Sequence, residues 1–225
     1  MKVSWRTEWP HWVLLAGMFA LAAANWSSAP DRIPVHWGLS GQPDRWGGRF
    51  EGLVLLPLIA LAVYALLRWL PRIDPGRANY PAFAGAYATI RLAVLVVIAA
   101  VYAIILLAMR GHAVEVATWV PLLIGGMFVI IGNLLGKVRP NWFVGVRTPW
   151  TLSSKLSWTR THRLGGWLLI VIGVLFMATS LVHTRWAVGA VAIVAGVGIL
   201  GLVVYSYVQW RNDPDKVPPA GTLPE

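Results

Sequence analysis

Six apolar runs, each close to the length that crosses a lipid bilayer, constrain the fold of this chain more than any other feature. They cover roughly residues 12–26, 53–70, 92–109, 116–135, 166–182 and 187–208. A helix needs about 20 mainly apolar residues to cross the hydrocarbon core, and in lipid only a helix satisfies all its own backbone hydrogen bonds. The runs therefore predict an all-α fold, a polytopic integral membrane bundle of six transmembrane helices.

Composition agrees with a membrane protein. The chain is 57% hydrophobic and 12% charged, whereas soluble domains carry about 25% charged residues. Many of its 14 tryptophans lie at the ends of the runs, where an apolar ring meets the lipid headgroups. The first run follows Lys2 and Arg6 and resembles a signal peptide, but the later chain keeps returning to the membrane. We therefore interpret it as an uncleaved first span.

The distribution of basic residues predicts the orientation. With the N-terminus inside, the inner segments hold most of the Lys and Arg residues, Arg91 among them. The outer segments then hold only Arg32, Arg45, Arg49, Arg110 and Arg185. Because Lys and Arg accumulate on the cytoplasmic side, the sequence predicts that both termini are cytoplasmic.

The runs and the loops between them divide the chain into two predicted membrane modules. Residues 1–115 form the first, with an outer loop at 27–52, and residues 116–210 form the second, with an inner loop at 136–165. The tail, residues 211–225, is polar and Pro-rich, which predicts disorder. We expect function in the two long loops.

The outer loop combines turn residues with titratable and aromatic ones. Its prolines and glycines predict a compact set of turns. His36, Trp37, Asp44 and Trp46 would then form either a ligand-contacting surface, with His36 paired to Asp44, or a self-packed cap on the membrane. Two candidate ligands are too few for a metal site, so no metal is predicted.

The inner loop predicts a short helix that begins at Thr148 and Pro149, an N-cap followed by a first helical position. It would carry Trp150 and Trp158 beside basic residues, as an interfacial helix does on anionic headgroups. The alternative is a docking surface for a cytoplasmic partner, formed by the polar and basic residues Asn141, Arg147, Thr148 and His162.

Sequence motifs of catalysis are absent. The chain has no Cys and no HExxH, GxSxG or P-loop motif, and its apolar runs contain almost no ionisable residue. A single enzyme site of His36, Asp44 and His162 conflicts with the predicted topology, which places His162 on the opposite side. We therefore predict a non-enzymatic protein without a cofactor. A transporter or lipid-handling protein is the alternative.

Two segments resemble known families. IPVHWGLSGQPDRWG, residues 33–47, resembles a short N-terminal module of unknown function found in many bacterial membrane proteins. GNLLGKVRPNWFVGVRTPWTLSSKLSWTRTHRLGG, residues 132–166, closely resembles the signature of the SdpI family.

The resemblance to the SdpI family implies a multi-pass protein of the bacterial cytoplasmic membrane that confers immunity to a secreted peptide toxin. It also implies, from the family's founding system, recruitment of a cytoplasmic transcriptional repressor. Membrane lipids, the toxin and the repressor are then the expected partners, without direct contact to nucleic acid. The outer motif gives the candidate ligand-binding residues His36, Trp37, Gly41, Pro43, Asp44, Trp46 and Gly47. The inner motif gives the candidate partner- or lipid-binding residues Asn133, Lys137, Asn141, Arg147, Thr148, Pro149, Trp150, Trp158, His162 and Arg163.

Overall fold

The computed structural model describes residues 5–38, 40–182 and 185–217, and these are mostly helical. The longer helices are α1 (Trp5–Asn25), α2 (Leu56–Ile73), α3 (Ala84–Met109), α4 (Val116–Leu135), α6 (Lys155–Val182) and α7 (Arg185–Arg211), with a four-residue α5 (Pro149–Leu152) between α4 and α6. A π-helical segment (Phe50–Leu55) leads into α2, and a 3-10 segment (Arg77–Phe83) leads into α3.

Five helical segments of the described chain are long and apolar enough to cross a membrane. They are Phe50–Ile73, Arg77–Met109, Val116–Leu135, Lys155–Val182 and Trp186–Arg211. The prediction of a multi-pass helical protein is confirmed at this level. The first predicted span forms the 21-residue helix α1 but is not among the five, because Glu8 and His11 make its first turns polar.

The outer loop contains strands, so the expectation of a purely helical chain is wrong there. Strand β1 (Ile33–Trp37) pairs antiparallel with β2 (Pro43–Gly47), with Ile33 opposite Gly47 and Trp37 opposite Pro43. Between the strands, Gly41 adopts a positive φ of 75°, a conformation that glycine tolerates best. We refer to residues 33–47 as the outer hairpin.

The outer hairpin is held by the first helices. Ile33 is fully buried and packs in one apolar cluster with residues of α1, α2 and α3, together with Leu53. The Tyr102 hydroxyl of α3 donates a hydrogen bond to the Leu53 carbonyl at 3.0 Å. At the turn, a Cβ placed on Gly41 would lie 3.1 Å from the Cβ of Ala117, so the hairpin also reaches the start of α4.

Helices α4 and α6 pack backbone to backbone. A Cβ on Gly132 would lie 2.6 Å from the Gly166 carbonyl oxygen, and one on Gly125 would lie 2.5 Å from that of Gly173. Both glycine pairs repeat after seven residues, the spacing that keeps one helix face turned towards its partner. Small residues permit such close approach where lipid provides no hydrophobic drive between helices.

The inner loop is shorter than predicted, and the helix predicted to begin at Thr148 and Pro149 is present but only four residues long. Helix α5 ends at Leu152, and α6 already begins at Lys155. Trp158 therefore belongs to α6 and is 1% exposed, so it is not seated on lipid headgroups. It packs in a buried apolar cluster, and its indole NH is satisfied there because it donates to the Val138 carbonyl at 2.8 Å.

The first part of the predicted tail packs onto the inner loop. The amide of Val217 donates to the Ser153 carbonyl at 3.0 Å, and the Ser154 hydroxyl donates to the Asp213 carboxylate. The remaining residues of the tail, 218–225, lie outside the described residues, where its predicted disorder stays a prediction.

A buried ion pair joins α1 and α3, and its two residues lie just outside the apolar runs of the sequence. Arg91, expected in an inner connection, lies two turns inside α3 and is 2% exposed. It forms a two-pronged hydrogen bond with Glu8, at 3.1 and 2.7 Å. Burial of a charge is tolerable when it is paired in this way, so the pair fixes α1 against α3.

Candidate functional site

The outer hairpin presents a paired histidine and carboxylate at its surface. His36 Nδ1 lies 2.5 Å from Asp44 Oδ1, as the cross-strand position of the two residues allows. Their side chains are 61% and 51% exposed, so the pair is open to a ligand. Trp46 is also exposed, and the Arg32 guanidinium lies 5.8 Å from the centre of its ring.

The other predicted residues of the outer hairpin shape it. Trp37 is half-buried and packs against the apolar cluster that contains Ile33. Gly47 is buried, and a Cβ there would collide with the Glu51 side chain. Gly41 and Pro43 occupy the turn and the start of β2. The surface that a ligand could touch is therefore concentrated on His36, Asp44 and Trp46.

One ion pair links the outer hairpin to the π-helical segment that follows it, and a second joins two residues just outside the hairpin. Arg45 pairs with Glu51, and Arg49 pairs with Asp31 at 3.2 Å. No group of three or more His, Asp or Glu side chains that could hold a metal occurs among the described residues. The chemistry available at the hairpin is hydrogen bonding from the exposed His36–Asp44 pair, together with the exposed ring of Trp46.

In the inner loop, Asn141 organises a turn that projects two aromatic side chains. Its amide nitrogen donates to the carbonyls of Arg139 and Val144, and its amide oxygen accepts from the main-chain NH groups of Phe143 and Val144 at 3.0 and 2.7 Å. Asn141 itself is buried, whereas Trp142 is 50% exposed and Phe143 is 38% exposed. We call residues 139–147 the inner turn.

His162 supports the inner turn from beneath. Its ring is 1% exposed and stacks on Trp158, with ring centres 3.9 Å apart. Its Nε2 accepts from the Val146 NH at 3.1 Å, so Nδ1 carries the hydrogen and donates to the Trp158 carbonyl at 2.8 Å. Gly145 has φ 110° and lies so close that a Cβ would overlap the ring.

Thr148 closes the inner turn through a capping box at the start of α5. Its hydroxyl accepts from the Thr151 NH, and the Thr151 hydroxyl accepts from the Thr148 NH at 2.9 Å. The Thr148 hydroxyl also lies 3.0 Å from the Ser206 hydroxyl of α7. The predicted cap is thus present, although the helix that follows it is short.

The predicted inner residues separate into a buried set and an exposed set. Asn141, Thr148, Trp158 and His162 are buried, and in this structure they hold the loop rather than face the solvent. Arg147 is exposed and donates to the Trp142 carbonyl at 2.7 Å. Trp150 is half-buried against Tyr207. The remaining exposed members are Asn133, Lys137, Pro149 and Arg163.

Sequence reasoning missed a buried carboxylate that joins the connection between α2 and α3 to the inner turn. Asp74, in the connection between α2 and α3, is 1% exposed. It accepts from the amide of Gly76 at 2.6 Å, from the Tyr80 hydroxyl at 2.8 Å and from the amide of Trp142 at 3.1 and 3.2 Å. In the sequence it stands in an ordinary Asp-Pro-Gly turn, and nothing local predicts a partner 68 residues away.

At the end of α7, a hydroxyl tunes the ionisation of Asp213. The hydrogen bond from Ser154 lowers the pKa of the Asp213 carboxyl, because it stabilises the charged form. This contact ties the start of the tail to the loop before α6.

Comparison with known proteins identifies both segments. Residues 13–61 match the model of a domain of unknown function, DUF1648, and residues 137–206 match that of the SdpI/YfhL protein family. The chain is 25% identical over 154 residues to the "Immunity protein SdpI" of Bacillus subtilis, a match of 67% of this chain and 70% of that protein. It is 32% identical over 77 residues to an "Uncharacterized protein" of Archaeoglobus fulgidus, covering 32% of this chain and 42% of that one. No solved structure matches.

The comparisons confirm the predicted resemblance to the SdpI family. The matched parts include the outer hairpin and most of the inner loop. Together with the five candidate spans, they make this chain a multi-pass membrane protein similar to an immunity protein.

Proposed function

We propose that this chain is an immunity protein of the bacterial cytoplasmic membrane, which senses or neutralises a membrane-active antimicrobial peptide at its outer hairpin. The observation that carries the proposal is the exposed His36–Asp44 pair of the outer hairpin, which lies in the DUF1648 match. It is joined by the similarity of the chain to an immunity protein and of residues 137–206 to the SdpI/YfhL family. An apolar peptide with polar main-chain groups could stack on the ring of Trp46 and hydrogen-bond to the pair.

The proposal includes a six-span topology with both termini inside. Helix α1 is 21 residues long, enough to cross about 30 Å of hydrocarbon at 1.5 Å per residue. Its polar residue Glu8 is neutralised by Arg91, which reduces the cost of placing this helix in lipid. The outer hairpin and the inner turn then lie on opposite sides of the membrane.

The inner turn is the proposed relay surface for a cytoplasmic partner such as a repressor. Trp142 and Phe143 project from it, and Arg147 lies beside them. Arginine and aromatic side chains are enriched among residues that dominate protein interfaces. The buried residues Asn141 and His162 would contribute by fixing this surface rather than by touching the partner.

A challenge experiment tests the outer site. A sensitive bacterium expresses the protein at matched membrane levels and is exposed to a panel of membrane-active peptides. We expect wild type to protect selectively, and His36→Ala and Asp44→Asn to lose that protection. Asp31→Asn is the matched control, because it removes an exposed carboxylate of the same loop outside the hairpin. Full protection by both hairpin variants would refute the outer site.

The same experiment distinguishes the relay surface and the alternative function. Arg147→Gln should keep protection but lose any signal to a cytoplasmic partner, with Lys155→Gln as the control for an exposed inner charge. Absence of protection against every peptide in the panel would contradict immunity and favour the transporter or lipid-handling function.

A further inference from the structure

A chain of buried polar and aromatic groups connects α1 with the inner turn, and the proposed function does not use it. It begins with the Glu8–Arg91 pair, in which both side chains are at least 95% buried. The hydroxyl of Tyr64 in α2 donates to Glu8 at 2.9 Å, and the indole NH of Trp12 donates to that hydroxyl at 2.9 Å. Three helices therefore meet at one carboxylate.

From Arg91 this series of contacts continues towards the N-terminal end of α3. The guanidinium lies 5.9 Å from the ring centre of Tyr87, one turn earlier. The Tyr87 ring meets Tyr80 edge to face, with centres 5.3 Å apart, and the Tyr80 hydroxyl donates to Asp74 at 2.8 Å. Tyr80 and Tyr87 are at most 1% exposed, so neither can move without displacing its neighbours.

Asp74 extends this series of contacts to the inner turn. Its carboxylate holds the Trp142 amide of the inner turn. A second contact lies beside it, where the Asn79 side chain donates to the Pro140 carbonyl at 2.7 Å. The carbonyl of Trp142 in turn accepts from Arg147. The conformation of the inner turn is therefore tied to residues of the first module.

The opposite end of α1 leads into the outer hairpin. The Ala29 amide donates to the Asn25 carbonyl at 2.9 Å, and Ile33 follows in the buried cluster. A shift of the hairpin that tilts α1 would act directly on Glu8, which lies in the first turn of the helix, at the opposite end from Asn25.

We propose that the chain Glu8–Arg91–Tyr87–Tyr80–Asp74 couples the position of α1 to the conformation of the inner turn. In the state described here Asp74 holds Trp142, and loss of the Glu8–Arg91 pair releases it. The proposed coupling rests on the proposed function only for its biological role, because it can be measured without a toxin or a partner. Coupling of this kind requires an element with two arrangements that both ends bias, and the inner turn is that element.

The test uses the absence of cysteine from the chain. Phe143→Cys places a single thiol on the inner turn, and its rate of reaction with a maleimide is measured in membranes. Ser40→Cys, exposed at the outer hairpin, controls for changes in labelling that are not specific to the inner turn. The Phe143→Cys protein is compared with double variants that add Glu8→Gln, Asp74→Asn or the control Asp31→Asn.

We expect Glu8→Gln and Asp74→Asn each to change the labelling rate of Phe143→Cys by about fivefold or more, the lower end of typical allosteric coupling. The Asp31→Asn control and the Ser40→Cys reporter should keep their parental rates. A change with Asp74→Asn but not with Glu8→Gln would overturn the proposal, because the inner turn would then depend on its local bond alone.

A second variant protects the test against simple misfolding. Tyr80→Phe removes one hydroxyl and keeps the buried ring, so it should alter the labelling rate in the same direction while the protein stays folded. An unchanged rate in Tyr80→Phe would equally overturn the proposal. No toxin enters either measurement, so failure here is separate from failure of the immunity proposal.

Discussion

The close crossing of α4 and α6 gives a prediction whose size follows from the geometry. In Gly132→Ala the new Cβ would lie 2.6 Å from the Gly166 carbonyl oxygen and 3.0 Å from the Ile170 amide nitrogen. Carbon and oxygen atoms in helix contacts normally approach to about 3.3 Å, so the helices must separate by about 0.7 Å. Both obstacles are backbone atoms, which no rotamer change can move aside.

The expected cost is that of overpacking a tight core, about 1–3 kcal/mol of unfolding free energy. The control lies on the same helix. A Cβ on Gly126 meets nothing within 4 Å, so Gly126→Ala should be neutral or stabilising by up to about 1 kcal/mol through helix propensity. Equilibrium unfolding in mixed micelles, followed by tryptophan fluorescence, measures both. Equal stability of the two variants within about 0.5 kcal/mol would refute the backbone-to-backbone crossing.

Three further predictions concern the inner loop. Gly145→Ala should lower thermal stability measurably, because φ is 110° and a Cβ would overlap His162, and unchanged stability would contradict the stacked position of that ring. Trp158→Phe should cost about 1–3 kcal/mol in the same unfolding assay, because it leaves a buried carbonyl without its donor, and a neutral result would contradict that bond. Ser154→Ala should raise the pKa of Asp213, followed by carboxyl NMR in detergent micelles, and an unchanged titration would contradict the bond. Because this pKa is lowered in the folded state, the bond stabilises the fold above the unfolded pKa of Asp213, and that contribution is lost as the pH falls through the folded pKa.

The helices of this protein could be predicted from sequence, whereas the hairpin could not. Apolar runs as long as residues 116–135 have one solution in lipid, and α4 has those same bounds. The two strands of the outer hairpin are only five residues each and contain Pro34 and Pro43, so their prolines and glycines predict turns. The pairing is stabilised by burial of Ile33 against helices distant in the sequence, and no local pattern carries that information.

The candidate site was predictable as a set of residues but not as an arrangement. The His36–Asp44 pair was foreseeable because both residues lie in one short loop. The Glu8–Arg91 and Asp74–Trp142 contacts join residues 83 and 68 positions apart. One sequence gives no sign that such distant residues meet. Arg91 also appeared to be an ordinary topology signal at the edge of an apolar run, since its carboxylate partner belongs to another helix.

The residues of the inner motif therefore fall into two groups that sequence alone cannot separate, those that hold the inner turn and those that remain exposed on it. The side chains of Asn141 and His162 form their hydrogen bonds within the inner turn and with α6. A partner protein could therefore reach neither the Asn141 amide nor the His162 ring without unfolding the turn. Arg147, by contrast, keeps an exposed guanidinium while one of its nitrogens holds the Trp142 carbonyl. A substitution at His162 should consequently disturb both stability and the proposed docking, whereas one at Arg147 should act on the proposed docking with little loss of stability. Because of that difference, Arg147 is the residue at which the proposed recognition of a partner can be tested separately from the fold.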